Sequence, residues 1–178
     1  SNVVPARMVV VGDLRTISRH TDTGAVTFLN ANLLDDGWQQ SFAGADRVWH
    51  LAADPDVRES AIRPDTQLNN TIIATHRVLE AARSHAVPEI VFTSTSTVYG
   101  EASVIPTPEG YSPLEPVSVY GAAKLACEAL ISAYCHSFQI RGYIFRFANI
   151  IGPRSGHGVI TDFIRKLREC FPPMDRVS

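Results

Sequence analysis

Three side chains in this sequence have the types and spacing to move a proton: Thr95, Tyr120 and Lys124. Thr95 stands in Phe92-Thr93-Ser94-Thr95-Ser96-Thr97-Val98-Tyr99-Gly100, and the other two in Tyr120-Gly121-Ala122-Ala123-Lys124. A phenol has an ordinary pKa of about 10 and is a poor base at neutral pH. Residues i and i+4 share a helix face, so Lys124 can hold its ammonium close to the Tyr120 oxygen. A neighbouring cation favours the phenolate. Bringing the phenol down to about 7 takes about 4 kcal/mol, at roughly 1.36 kcal/mol per unit. One ammonium and one further positive charge can supply that where the dielectric is reduced. The Thr95 hydroxyl would hydrogen-bond a substrate hydroxyl and relay its proton.

Composition separates this pattern from chance. The chain has five Tyr but only two Lys, Lys124 and Lys166, and takes its other positive charge from Arg. A Tyr-x-x-x-Lys is then expected about 0.06 times by accident. Arginine would solvate a surface equally well, yet it does not titrate as a neighbour of the phenol.

The elements that must position these residues can be read from apolar runs and punctuation. Met8 to Val11 is an apolar run ending at Gly12-Asp13, as in a buried parallel strand. Val26 to Leu29, Arg47 to Ala53, Glu89 to Phe92 and Gly142 to Phe147 are further strands. Asp35 to Phe42, Pro64 to His85, Val119 to Phe138 and Gly158 to Glu169 have helical spacing. Strands alternating with such helices imply a parallel sheet covered on both faces, with ligands outside the carboxyl ends of the strands. Asp13, Leu51 to Ala53, Thr95 and Asn149 all follow strands.

Length and charge exclude several classes. At 178 residues, 45% hydrophobic and 19% charged, the chain can bury one sizeable core. A formal charge of −2 gives no broad attraction to nucleic acid or anionic lipid, so neither is an expected partner. No apolar run has membrane-spanning length, and no N-terminal stretch reads as a signal peptide. Cys127, Cys135 and Cys170 are odd in number and lack ligand spacing, as expected of free thiols in a reducing cytoplasm. None of the six His forms an H-x-x-x-H or H-E-x-x-H pair, so no metal is expected.

With these motifs in hand, the chain resembles the extended short-chain dehydrogenase/reductases, specifically the NAD-dependent nucleotide-sugar epimerases and dehydratases of the UDP-glucose 4-epimerase type. The likeness rests on Trp49-His50-Leu51-Ala52-Ala53, Thr93 to Gly100, Ser118 to Lys124, Arg146-Phe147-Ala148-Asn149-Ile150-Ile151-Gly152-Pro153, and Gly158 to Ile164. It implies an α/β fold: a doubly wound, Rossmann-like parallel sheet over residues 1–155, incomplete, with the start of a small substrate domain at 156–178. It implies NAD as cofactor, a UDP-hexose or other nucleotide sugar as substrate, and a homodimer.

Position by position, the resemblance makes Tyr120 the base that takes the sugar 4-hydroxyl proton while hydride passes to NAD. Lys124 would bind the nicotinamide ribose and depress the Tyr120 pKa, and Thr95 would meet the substrate. Leu51, Ala52, Ala53, Thr93 and Ala148 would line the cofactor, and Asn149 would contact the nucleotide sugar's diphosphate. Asp13 and Asn32-Leu33 would lie at the adenosine end. The expected ribose-binding acid falls at Gly12, one place before Asp13, with Arg15 and Arg19 nearby, which leaves NADP open. The family's opening strand and Gly-x-x-Gly-x-x-Gly loop are not in these 178 residues, as expected of a fragment. Thr71 stands where Asn is usual. Related dehydratases carry Asp-Glu after the strand threonine; Ser96-Thr97 stand here and disfavour dehydration. A UDP-glucuronate decarboxylase and a catalytically silent dinucleotide-fold module stay open. The dimer would form through the helices 64–85 and 119–138, where Val78, Leu79, Leu130 and Ile131 are contact or core candidates.

Overall fold

Runs of Val, Ile and aromatic residues favour extended backbone, and five of them become strands in the computed structural model, which describes residues 8–12, 26–150, 152 and 159–170. β1 (Met8–Gly12) pairs in parallel with β2 (Val26–Asn30). β3 (Val48–His50), β4 (Glu89–Thr95) and β5 (Arg141–Phe147) form a second parallel sheet with β4 in the middle. Its register sets His50 against Phe92, Ser94 against Arg146 and Thr95 against Phe147.

Parallel neighbours need a crossover, and helices supply it. Between β3 and β4 run α1 (Glu59–Ile62), α2 (Pro64–Gln67), a π turn at Leu68–Ile73, and α3 (Ala74–Ser84). Pro64 takes the first position of α2, where its missing N–H costs nothing. Between β4 and β5 lies α4 (Val119–Phe138). The Ser118 hydroxyl caps it by accepting from the Gly121 N–H at 3.0 Å, and Gln139 ends it in the left-handed region. The core joins these layers through Val78, Leu79, Ala82, Ile90, Phe92, Cys127 and Ile131. The chain divides into two compact units, Ser1–Ala148 and Asn149–Ser178, and the second contains α5 (Val159–Cys170).

The two ends of β4 differ in chemistry. At its start, Glu89 takes Arg47 at 2.5 Å and Arg141 at 2.6 Å, so one buried carboxylate gathers the beginnings of three strands. Its carboxyl end carries Thr93, Ser94 and Thr95, and a 3-10 turn follows at Ser96–Tyr99. The Thr95 hydroxyl caps that turn by accepting from the Thr97 N–H at 3.2 Å.

Several expectations are corrected. The strand expected to reach Ala53 stops at His50, because Thr71 and Gln67 bind the loop instead. The Asp54 N–H donates to Thr71 Oγ1 at 3.3 Å, and Gln67 Nε2 donates to the Asp54 carbonyl at 3.0 Å. The helix expected over 35–42 shrinks to a 3-10 turn at Gln39–Phe42. Gly37 at φ 102° cannot continue a right-handed helix, and Gln39 Oε1 takes its N–H at 2.7 Å. The helix expected over 64–85 contains a π turn, at which Thr71 Oγ1 donates to Gln67 Oε1 at 3.0 Å. Val78, Leu79 and Ile131 lie wholly inside this chain's core, and Leu130 packs against it.

Candidate active site

β4 and α4 together build the site. Ser118 sets the start of α4, so Tyr120 falls in its first turn and Lys124 one turn on, facing the sheet. Tyr120 is half-buried and Thr95 is buried, and the Thr95 hydroxyl acts on the phenol against the effect of burial. Thr95 Oγ1 accepts from both the N–H and the hydroxyl of Thr97, each at 3.2 Å. Its own proton is therefore left for another acceptor.

Lys124 is only 3% exposed. Its Nζ donates to the Thr93 carbonyl at 2.7 Å and lies 4.5 Å from the centre of the Phe92 ring. The amine is thus directed at the strand. Burial pulls it down from the ordinary lysine value to about 8, against the opposing fields of Cys127 and Glu128. Burial pushes the Tyr120 phenol above its ordinary value, with the Thr95 hydrogen bond opposing. The cation that the sequence set beside the phenol is not among the influences on it in this arrangement.

Beneath the site lies a buried polar chain. His50 Nε2 is 2.8 Å from Thr75 Oγ1, whose proton goes to the Thr71 carbonyl at 2.6 Å, and Cys127 Sγ donates to the same Thr75 oxygen at 3.3 Å. The His50 ring stacks on Phe92 with centroids 5.4 Å apart. Burial first, and the Lys124 charge second, depress His50 to about 3, so it is neutral at physiological pH.

The other expected residues fall as follows. Leu51, 62% exposed, Ala52, also exposed, and half-buried Ala53 follow β3. Thr93 is half-buried in β4, and Ala148 is exposed just past β5. Asn32 and Leu33 follow β2; Asn32 Oδ1 accepts from the Leu34 N–H at 3.0 Å, and Leu33 packs against the core. Asn149 is exposed and opens the second unit. Asp13 lies outside the described residues. Three residues that sequence reasoning passed over, Ser94, Glu128 and Arg146, meet beside Lys124. The available signal was Glu128 standing four places after Lys124 on the same helix face.

A buried threonine hydroxyl, a half-buried phenol and a buried amine one helical turn further on, at the carboxyl end of a parallel sheet, are the arrangement of the extended short-chain dehydrogenase/reductase class. The model of the NAD dependent epimerase/dehydratase family matches residues 5–172, and the chain belongs to that family. It is similar to an uncharacterized UDP-glucose epimerase of Bacillus subtilis, 42% identical over 131 residues, 72% of this chain and 40% of the relative. It is also similar to the UDP-glucose 4-epimerase of Corynebacterium glutamicum, 34% identical over 112 residues, 63% of this chain and 34% of the relative. The crystal structure of a UDP-galactose 4-epimerase matches with a TM-score of 0.79 at 44% identity, covering 92% of this chain and 55% of that one. A UDP-glucuronic acid 4-epimerase from Bacillus cereus, solved with UDP-glucuronic acid and NAD, gives a TM-score of 0.79 at 26% identity over the same shares. The chain thus spans about half the length, or less, of these relatives.

The residues present fit the nicotinamide half of such a cofactor. Exposed, uncharged Leu51 and Ala52 after β3 leave room for an apolar ring, and the Lys124 amine has N–H donors beyond the one given to Thr93. A glycine-rich pyrophosphate loop is not among the described residues. Among them, too, no group of three or more acids, His or Cys could hold a metal, and no helix is long and apolar enough to cross a membrane.

Proposed function

We propose that this chain carries the proton-transfer site of an NAD-dependent nucleotide-sugar 4-epimerase that interconverts UDP-glucose and UDP-galactose. The observation behind this reading is the placement of buried Thr95 at the end of β4, Tyr120 in the first turn of α4, and Lys124 buried one turn further on. Tyr120 takes the proton of the sugar 4-hydroxyl and later returns it. Thr95 orients that hydroxyl, because Thr97 fixes the direction in which the threonine proton points. The half-buried phenol is protonated at rest, so its activation waits on positive charge that arrives with the bound ligands. NAD, when bound, supplies that charge and a reversible hydride acceptor for C4 of the sugar. Lys124, Leu51, Ala52, Ala53, Thr93 and Ala148 would hold its nicotinamide end, Asn32, Leu33 and Asp13 its adenosine end, and Asn149 the sugar diphosphate.

Dehydration is the weaker reading, although a dTDP-glucose 4,6-dehydratase of Streptomyces antibioticus is 32% identical over 154 residues. Eliminating water needs an acid and a base beside the strand threonine. Here Ser96 and Thr97 occupy the turn after Thr95. The deciding experiment incubates the full-length protein with NAD and UDP-galactose and follows UDP-glucose by chromatography. Conversion without net reduced nicotinamide is expected. Release of carbon dioxide from UDP-glucuronate instead would identify a decarboxylase, and no turnover of either sugar would indicate a silent module.

A further inference from the structure

The buried carboxylate beside Tyr120 and Lys124 has no part in the chemistry above. Glu128 follows Lys124 by four residues and Tyr120 by eight, so all three share one face of α4. It is 6% exposed. Its Oε1 accepts from Ser94 Oγ at 2.5 Å and its Oε2 from Arg146 Nη2 at 2.8 Å, while Arg146 Nε lies 3.1 and 3.2 Å from the two oxygens. Ser94 and Arg146 are register partners on β4 and β5, so a single carboxylate joins two neighbouring strands to the helix. Arg146 is itself held. Its Nη1 donates to the Glu109 carbonyl at 3.1 Å, and its guanidinium lies 4.9 Å from the Tyr99 ring centre.

Two consecutive residues of β4 are thereby tied to two successive turns of α4. The Thr93 carbonyl holds Lys124 and Ser94 holds Glu128, with Thr95 next along the strand and Tyr120 one turn earlier on the helix. A buried ion pair adds little net stability over apolar packing of the same shape, so stability alone is a weak account of this one. What a forked guanidinium and a hydroxyl on one carboxylate do supply is direction.

We propose that Glu128, clamped by Ser94 and Arg146, is a positioning residue for the Tyr120–Lys124 site: it fixes that face of α4 on the end of β4 and is the counter-charge of the Lys124 ammonium. The groups facing Lys124 are Tyr120, Cys127 and Glu128 on α4, His50 on β3, and the Thr93 carbonyl and Phe92 ring on β4, with Arg146 of β5 behind Glu128. His50 is neutral, and burial keeps the Cys127 thiol and the Tyr120 phenol protonated, so Glu128 is the anion among them. Its field opposes the burial that draws Lys124 down to about 8.

The activity part of the test rests on the epimerase reading; a second part does not. In Glu128→Gln the alkaline limb of the kcat/KM profile should move at least about half a unit toward lower pH, since the ammonium loses its counter-charge. Its kcat should fall about tenfold or more, with KM for the nucleotide sugar within about threefold. Ser94→Ala, which changes no charge, should leave the limb in place. Independently of turnover, NMR titration of the Lys124 side chain in the full-length protein, identified by its loss in Lys124→Arg, should show a lower midpoint in Glu128→Gln. An unmoved midpoint would overturn the counter-charge role whether or not the protein epimerises sugars. Should Glu128→Gln not fold, Glu128→Asp keeps the charge but shortens the reach to Ser94 and Arg146. It should lower kcat without moving the limb, and parental kcat there would overturn the positioning role.

Discussion

At the scale of single residues, burial sets the protonation states on which the site depends. Tyr120 is held protonated by its half-buried setting, and Thr95 is the group arranged to relieve it. Removing the phenol hydroxyl takes away the proton acceptor while leaving the ring to pack. Tyr120→Phe should therefore cost about 10²-fold or more in kcat, the ordinary range for a general base, with an unchanged circular dichroism spectrum. His50 supports a second expectation. A histidine depressed to about 3 when folded, against the usual 6.5 when unfolded, binds its proton in the unfolded state first as pH falls. Its contribution is complete above the unfolded value and is lost as pH drops from about 6.5 towards 3, by at most about 1.4 kcal/mol per unit. Urea denaturation followed between pH 7 and 4 should show that loss, and His50→Gln should flatten it. The types and spacing of Thr95, Tyr120 and Lys124 were legible in the sequence because few residues can do this chemistry. The direction of the Lys124 amine was not legible, because it depends on the Thr93 carbonyl and the Phe92 ring, which only the packed sheet brings near.

At the scale of elements, the site requires α4 to lie close against β4 and β5, and Gly142 allows it. A Cβ added there would stand 2.5 Å from Cys135 Sγ and 3.4 Å from Ile131 Cγ2, both on α4. The Cys135 sulfur would have to turn about its Cα–Cβ bond or the helix would have to lift. Gly142→Ala should destabilise the fold by about 1–3 kcal/mol, the usual range for overpacking, read as a lower urea midpoint. Cys135→Ala placed in the same chain should restore most of the loss, because it removes the closest obstructing atom. The run of α4 from Val119 to Phe138 could be read directly, since Ser118 is a cap and the apolar spacing persists to Phe138. The truncated β3 and the π turn could not. They follow from Thr71 and Gln67 bonding across to Asp54, contacts between residues 13 and 17 positions apart that no local pattern announces.

At the scale of the whole molecule, the surface of α4 is the unusual feature. A helix on a protein surface ordinarily sets its charges toward water and its apolar side chains inward. Here the acidic and basic groups before its last turn, Lys124 and Glu128, are both buried. Outside lie Ala122, Ala129, Ser132 and Ala133, exposed and uncharged, with half-buried Ala126 completing a stripe spaced four, three and four residues apart. Of the residues the sequence offered as contact or core, Val78, Leu79 and Ile131 lie in this chain's own core and Leu130 packs against it. Replacing Ala129 with Arg adds a long charged side chain at the middle of the stripe, where no residue of the same chain is displaced because the position is exposed. The thermal unfolding of Ala129→Arg, followed by circular dichroism, should therefore stay close to that of the parent. A large loss of stability would mean that this side of α4 packs against its own chain.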